Sequence, residues 1–251
     1  MMKIAMRLLI TLPLLLLCTA CGHSSTAVAP AVVAAPPAVA EYLAALSAIE
    51  KSTTPVSLEA LLDKAEVAQS ALMEISGSQA VLERYTDTEF SALQAQMRGL
   101  TLSRGVDIYA QPDPKFFLSL AKAHGRPEDV AFFTRYAGSW GPDLVPTYLK
   151  LRPQPTPCVR FGENRIAPLY ADWQQYAAQH AAAYTARVAE NLRDLEEAVA
   201  LGTCACDGAE SVLREQAAFL KRFPTSPQAA SIKARREQLL SDPDVLPVNC
   251  R

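Results

Sequence analysis

Histidine is scarce in this sequence, and the residue patterns of common catalytic sites are missing. Only three histidines occur in 251 residues, and there is no G-x-S-x-G, H-E-x-x-H, phosphate-loop or dinucleotide-binding pattern. His124 precedes a helix-ending glycine, and His180 falls in an apolar helical pattern where a core histidine is more common than a catalyst. The sequence therefore assigns no catalytic residue, metal or cofactor. An enzyme with a site scattered along the chain stays open, because catalytic groups converge in space.

An excess of positive charge is also missing. The chain has 24 lysines and arginines against 26 acidic residues, and two of those cations, Lys3 and Arg7, lie among the first 20 residues. Nucleic-acid-binding domains carry a basic stripe or patch. We therefore expect no nucleic-acid partner.

The chain lacks an apolar run long enough to cross a bilayer. Its most hydrophobic stretch, residues 8–17, is broken only by Thr11 and Pro13. A spanning helix needs about 20 apolar residues, so this shorter run after Lys3 and Arg7 is typical of a secretory signal. Residues 1–20 are predicted to be a signal peptide.

The small residues Thr19 and Ala20 precede Cys21, and this arrangement resembles the lipobox of bacterial lipoproteins. Cys18 stands where the best lipoboxes have leucine. The resemblance implies that Cys21 is acylated and becomes the first mature residue, tethering the protein to a membrane through lipid. Gly22, in place of the aspartate that often retains lipoproteins in the inner membrane, implies the outer membrane. The alternative is ordinary cleavage that leaves Cys21 as a free thiol.

The rest of the chain divides by composition. Residues 21–40 contain no charge and consist mostly of Ala, Val, Pro and Ser, which predicts an extended, lipid-anchored spacer. Residues 41–150 and 151–251 are read as N-terminal and C-terminal helical regions of one continuous globular domain. The proline-rich stretch 151–158 marks the internal boundary.

Apolar residues recur at three- and four-residue spacing through most of this domain, which predicts an all-α fold. The buried face of one helix runs through Leu58, Leu61, Leu62, Ala65, Ala68, Leu72 and Ile75. Ser57 is a candidate N-cap of that helix, Thr86 and Glu89 form a capping-box pattern, and Asp113 precedes a proline that opens another helix. We expect an irregular bundle of roughly six to eight helices, with a small hairpin or a loop near residues 100–109.

The longest periodic stretch runs from Ile166 to Val199 and ends before Gly202. It predicts a long central helix, or two nearly collinear ones. Its aromatic residues, Tyr170, Trp173 and Tyr184, are expected in the core. Glu190, Asp194 and Glu197 are expected on a solvated face, because the pattern places nothing apolar around them. "GSWG" at residues 138–141 is interpreted as a turn between helices.

The segment 210–240 contains "FPTSP" between two helical patterns. It resembles one helix–turn–helix of the tetratricopeptide class found in envelope scaffold proteins. Pro224 would end the first helix, and Ser226 and Pro227 would begin the second. The resemblance covers about 31 residues once, whereas a solenoid needs about three repeats.

Four cysteines follow Cys21, and an even number in an oxidising compartment predicts two disulfides that staple the C-terminal half. Cys204 and Cys206 are too close to pair with each other without strain. Two connectivities stay open. They are Cys158–Cys204 with Cys206–Cys250, and Cys158–Cys206 with Cys204–Cys250. A zinc site is disfavoured, because Cys158 and Cys250 have no cysteine beside them.

These features favour a lipid-anchored interaction protein of the cell envelope, either an accessory factor or an immunity or inhibitor lipoprotein. Its expected partners are the membrane, through the lipid, and another envelope or secreted protein. The alternatives are a tetratricopeptide-like assembly scaffold and a peptidoglycan-acting enzyme. The sequence leaves the oligomeric state open.

Overall fold

A computed structural model describes residues 34–105, 107–152, 156–242 and 248. Cys21, Cys250, the predicted signal peptide and most of the predicted spacer lie outside the described residues. The described part of that spacer is helical from Pro37 onward, and Val39 is buried in it. The helical region thus starts ahead of the predicted boundary at residue 41.

The described residues are mostly helical, which confirms the predicted class. Nine α-helices occur in these ranges, one more than the upper limit expected: α1 Pro37–Glu50, α2 Glu59–Met73, α3 Asp87–Gln96, α4 Pro114–His124, α5 Pro127–Ser139, α6 Ile166–Gln179, α7 Thr185–Leu201, α8 Gly208–Arg222 and α9 Ala229–Ser241. A short 3₁₀ helix spans Val81–Arg84. The buried residues of these elements form one hydrophobic cluster that extends from Val39 to Val248.

In the part of the chain that the structure describes, three antiparallel strand pairs lie between the helices: β1 Ile75–Ser76 with β2 Gln79–Ala80, β3 Leu100–Arg104 with β4 Ile108–Pro112, and β5 Leu149–Lys150 with β6 Cys158–Val159. The second pair confirms the hairpin expected near residues 100–109. Ile75, expected on the buried face of α2, is 73% exposed instead, because α2 ends at Met73.

Local capping follows the sequence at two helices and departs from it at a third. The Thr86 side chain accepts a bond from the Glu89 amide, and the Asp113 side chain accepts from two amides of α4. At α2 the assigned N-cap position is Leu58, one residue after the expected Ser57, although the Ser57 hydroxyl still accepts from the Glu59 amide at 3.4 Å. The Leu58 amide donates to Oδ1 of Asp129, a buried residue of α5.

The predicted long central helix is wrong. This segment forms a helical hairpin instead, because α6 ends at Gln179 and α7 begins at Thr185. The hydroxyl of Tyr170 on α6 donates to Glu196 on α7, so the two helices run back against each other. The break occurs at Tyr184, which has a left-handed φ of 54°. Its ring stacks on Phe132 at 3.8 Å, and such tertiary contacts offset the cost of about 1–2 kcal/mol for that conformation.

The "FPTSP" segment does connect two helices, but the second begins later than expected. α9 starts at Ala229, and Ser226 and Pro227 lie in the connection before it. The Ser226 hydroxyl donates to Glu196 of α7 at 2.8 Å and accepts from the Gln228 amide. The connection is therefore fastened to the α6–α7 hairpin as well as to α9.

Candidate functional site

The loop between α5 and β5 is folded back on itself by backbone hydrogen bonds. The Thr147 amide donates to the Ser139 carbonyl at 2.9 Å, and the Gly141 amide donates to the Val145 carbonyl at 2.7 Å. Leu144 at the tip has a positive φ of 54°. These bonds hold two aromatic residues, Trp140 and Tyr148, at the two ends of the loop.

We call the cavity behind this loop the Trp140 pocket, and its volume is about 120 Å³. The loop, α6 and α7 line it, chiefly through Trp140, Tyr148, Leu169, Trp173, Asn191 and Asp194. Three aromatic side chains therefore surround a space that one carboxylate also faces.

The aromatic walls are anchored in the core. Trp173 is 1% exposed and lies 5.4 Å from Phe132, centroid to centroid. Trp140 makes an edge contact with Tyr136 at 6.0 Å, and burial raises the pKa of Tyr136 to about 12. Rings fixed in this way present their faces with little loss of side-chain freedom when something binds.

Asp194 is the acidic group of the pocket, and it is exposed, as expected, although the pocket walls partly desolvate its carboxylate. Desolvation by the pocket walls raises the pKa of Asp194, with the charges of Glu190 and Glu197 adding to the effect and Arg193 opposing it. Burial, and then the charge of Asp194, raises the pKa of Tyr148. Apolar surface does reach this carboxylate, because the α5–β5 loop folds over α7.

The other charged residues of α7 have separate roles. Glu190 and Glu197 are exposed, as expected. Arg187 is turned toward α2, where its guanidinium contacts the carboxylates of Asp63 and Glu66. The acidic side of α7 at Asp194 is therefore not neutralised by Arg187.

A second depression, the hairpin cleft, lies on the other side of Trp140. It has a volume of about 320 Å³, and the β3–β4 hairpin, the start of α4 and the α5–β5 loop line it. Its polar residues include Tyr109, Asp113, Lys115 and Asp143. Asp113 is already engaged, because its Oδ1 accepts from the Lys115 amide at 2.8 Å. Trp140 is thus a wall shared by two neighbouring openings.

The cysteine framework holds the far end of the loop in place. Cys158 of β6 forms a disulfide with Cys206, with 5.1 Å between their Cα atoms, so the alternative pairing of Cys158 with Cys204 is wrong. The Val159 amide also donates to the Cys204 carbonyl. Cys204 is itself disulfide-bonded, to a partner outside the described residues. The pairing of Cys204 with Cys250 stays a prediction.

The two candidate histidines of the folded part lie apart from these openings. His124 is the last residue of α4, and its carbonyl accepts from the Val56 amide. His180 ends α6 and stands 4.8 Å from the Tyr176 ring. His180 lines a shallow groove with alanines, Val188 and Leu192, and no carboxylate lines that groove.

The described residues contain neither a metal-binding cluster nor a membrane-spanning helix. No group of three or more His, Cys, Asp or Glu side chains in these ranges is arranged to hold a metal ion. No helix in the same ranges combines the length and apolarity needed to span a bilayer.

No protein family, curated protein or solved structure matches this chain.

The sequence patterns missed the residues that line the site. The sequence predicts only a turn at Trp140 and gives no role to Tyr148, and it places Asp194 on an exposed face without showing the aromatic residues beside it. One signal was available: Trp140 and Tyr148 flank a segment with Gly141, Pro142 and Pro146, and aromatic residues on a short loop between helices often mark a binding site.

Proposed function

We propose that the protein is a lipid-anchored component of the bacterial cell envelope that acts by binding another protein. Its binding surface consists of the Trp140 pocket and the hairpin cleft. The lipobox resemblance at Cys21 supports the anchor, with the outer membrane as the favoured location. The binding role rests on a single observation, the shared wall that Trp140 forms between two open depressions.

The size and chemistry of the two openings favour a polypeptide over a small metabolite. Pockets for drug-sized ligands are commonly about 300–1,000 Å³ and enclose most of the ligand. The Trp140 pocket, at about 120 Å³, has room for one side chain, and the adjoining hairpin cleft has room for its neighbours along a chain. Tryptophan and tyrosine at such places carry much of the binding energy in protein interfaces.

Among envelope binding proteins, we favour an immunity or inhibitor lipoprotein, or an accessory factor with one main partner. A tetratricopeptide-like scaffold is the second candidate, supported by the α8–α9 pair with its "FPTSP" connection. A peptidoglycan-acting enzyme is the third, supported by Asp113, Asp143 and Lys115 around the hairpin cleft.

Photo-crosslinking from the cleft tests the binding role. The full-length lipoprotein would carry p-benzoylphenylalanine in place of Asp143, an exposed residue of the cleft, and irradiation would be done in the producing cells. The matched control places the same group at Glu210, an exposed residue of α8. We expect a crosslinked partner from position 143 that is absent from position 210 and is lost when Trp140→Ala is added.

The outcomes separate the candidates. One partner in a one-to-one complex supports the inhibitor reading, and several assembly proteins support the scaffold. Crosslinks that are identical with and without Trp140 contradict the proposal. Release of soluble fragments from purified peptidoglycan by the full chain, abolished in Asp143→Asn, would replace binding with enzymatic activity.

A further inference from the structure

The Trp140 pocket combines aromatic faces with one carboxylate, and this combination selects among ligands. Trp140, Tyr148 and Trp173 supply three rings, and Asp194 supplies the ionisable group that faces the space. The negative faces of aromatic rings attract cations within about 6 Å, and tryptophan does so most strongly. The Asp194 carboxylate would repel an anion, whereas it would attract a cation.

Asn191 is the other polar residue of the wall, and its hydrogen bonding limits what it can offer. Its side-chain Nδ2 donates to the Arg187 carbonyl at 2.8 Å. This bond uses one of the two N–H groups of Asn191, and the amide oxygen can accept from a donor such as an ammonium group.

Charge around the mouth has the same sign as Asp194. Glu190 and Glu197 act on Asp194 from the same helix, and Arg193 is the one cation whose charge acts against them. On the opposite face of the α5–β5 loop lie Lys150, Arg160 and Arg165, where Glu163 pairs with both arginines. The pocket side of the loop therefore has an excess of negative charge.

We propose that the Trp140 pocket binds the side-chain ammonium group of a lysine on the partner polypeptide. The proposal rests on the proposed function for the identity of its partner. The ammonium group lies against the aromatic rings and donates to Asp194 and to the Asn191 oxygen, while the lysine methylenes contact Leu169 and the ring edges.

Lysine fits this space better than arginine does. The guanidinium group is broad and planar, and its five donors are best matched by paired acceptors in a fork geometry. Lysine is a compact point charge on a flexible chain. A pocket of about 120 Å³ with a single carboxylate matches the compact group.

Tryptophan fluorescence provides a direct test, because both tryptophans of the chain, Trp140 and Trp173, line the pocket. The full chain in non-ionic detergent would be titrated with Nα-acetyl-lysine N-methylamide. The matched probe is the norleucine analogue, which has the same backbone and a hydrocarbon side chain without the amine. We expect saturable binding of the lysine probe, at least about fivefold tighter than that of the norleucine probe.

Two variants with the same loss of charge locate the effect. Asp194→Asn should weaken the lysine probe at least about fivefold. Asp172→Asn, an exposed aspartate of α6, should leave its affinity unchanged. Both variants should keep the thermal midpoint of the wild type, which shows that the fold is intact.

Three results would overturn the inference: equal affinity for the two probes, equal affinity in wild type and Asp194→Asn, or saturation by choline without saturation by the lysine probe. These failures are distinct from failure of the proposed function. If a partner crosslinks in a Trp140-dependent manner but the pocket shows no preference for lysine, the proposed binding function is still supported. If the pocket binds lysine but no such partner is found, only the assignment of the pocket is supported.

Discussion

At the residue scale, Asp129 joins three parts of the fold. It is fully buried, and its carboxylate accepts from the Leu58 amide at the start of α2, from the Arg126 amide at the start of α5 and from the Tyr184 hydroxyl at the α6–α7 turn. No pattern near Asp129 in the chain points to Leu58 or Tyr184, which lie 71 and 55 residues away. One side chain thus holds both the start of α2 and the turn that breaks the predicted long helix.

Replacing Asp129 by alanine should be severely destabilising. The change leaves one buried amide, one partly buried amide and a buried hydroxyl without their acceptor, which costs about 3 kcal/mol or more in the free energy of unfolding. Urea denaturation of wild type, Asp129→Ala and the exposed-site control Asp172→Ala would measure the difference. A loss no larger than that of the control would contradict the role assigned to Asp129.

Glu215 is a second buried carboxylate, and it predicts a pH dependence of stability. It is 2% exposed; burial raises its pKa above the ordinary 4.5, while a hydrogen bond from the Gly162 amide acts in the opposite direction. The folded state therefore favours the protonated form of Glu215 more than the unfolded state does. Its stabilising contribution is therefore complete below the unfolded-state pKa and is lost as pH rises through the folded-state pKa.

Glu215→Gln should remove this loss of stability at higher pH, because the side-chain amide oxygen can still accept from the Gly162 amide and the side chain carries no charge. We expect the variant to gain stability relative to wild type as pH rises above the ordinary pKa of 4.5, as measured by urea denaturation at each pH. Glu210→Gln is the matched control, since it lies on the same helix with its side chain 93% exposed. A stability difference that stays constant with pH would refute the assignment.

At the scale of elements, the α5–β5 loop depends on attachments at both of its ends. Its own backbone bonds close the Ser139 end, and β5 pairs with β6 at the other. The Cys158–Cys206 disulfide, with a sequence separation of 48 residues, ties β6 to the connection between α7 and α8. The walls of the Trp140 pocket come from this loop and from α7, so the disulfide helps to hold the two sides together.

The double substitution of Cys158 and Cys206 by serine should lower the free energy of unfolding by about 3–4 kcal/mol, since it releases a long closed loop in the unfolded chain. It should also weaken binding of the lysine probe, because Tyr148 directly precedes β5. Thermal unfolding and the fluorescence titration would measure the two effects. Wild type treated with reductant serves as the comparison, and an unchanged midpoint in both samples would argue against a stabilising role.

At the scale of the whole molecule, the proposal joins a membrane tether to a folded binding domain. The core of the described residues runs continuously from α1 to Val248, so both halves proposed from composition contribute to one hydrophobic cluster. The hairpin cleft is lined by the β3–β4 hairpin of the first half, and the Trp140 pocket by α6 and α7 of the second. The α5–β5 loop contributes to both.

Cys21→Ser should release the protein from the membrane. Lipid attachment at Cys21 would be lost, and with it the burial of acyl chains that contributes about 0.8 kcal/mol per methylene. We expect wild type to incorporate radiolabelled palmitate and to fractionate with the outer membrane, whereas the variant should incorporate none and become soluble. Palmitate incorporation that persists in the variant, or is missing from wild type, would exclude Cys21 as the anchor.

The sequence by itself determined the helical class and two helix starts, and near residues 100–109 it left a hairpin and a loop as alternatives. The caps at Thr86 and Asp113 involve amides within three residues, so local chemistry is sufficient to predict them. The buried face of α2 was equally readable, because a period of 3.6 residues depends only on the chain itself. The spacing of the four cysteines left two possible connectivities for the predicted disulfides.

Only the tertiary structure decided where the long periodic stretch breaks, which cysteine Cys158 bonds, and what surrounds Asp194. Tyr184 takes a left-handed conformation because Phe132 and Asp129 hold its ring and hydroxyl, and both are more than 50 residues away in the chain. Asp194 is exposed beside two exposed glutamates, as its helical spacing predicts, but the spacing does not show which side chains lie next to it. Its environment is set by Trp140 and Tyr148, which reach it only when the α5–β5 loop folds across α7.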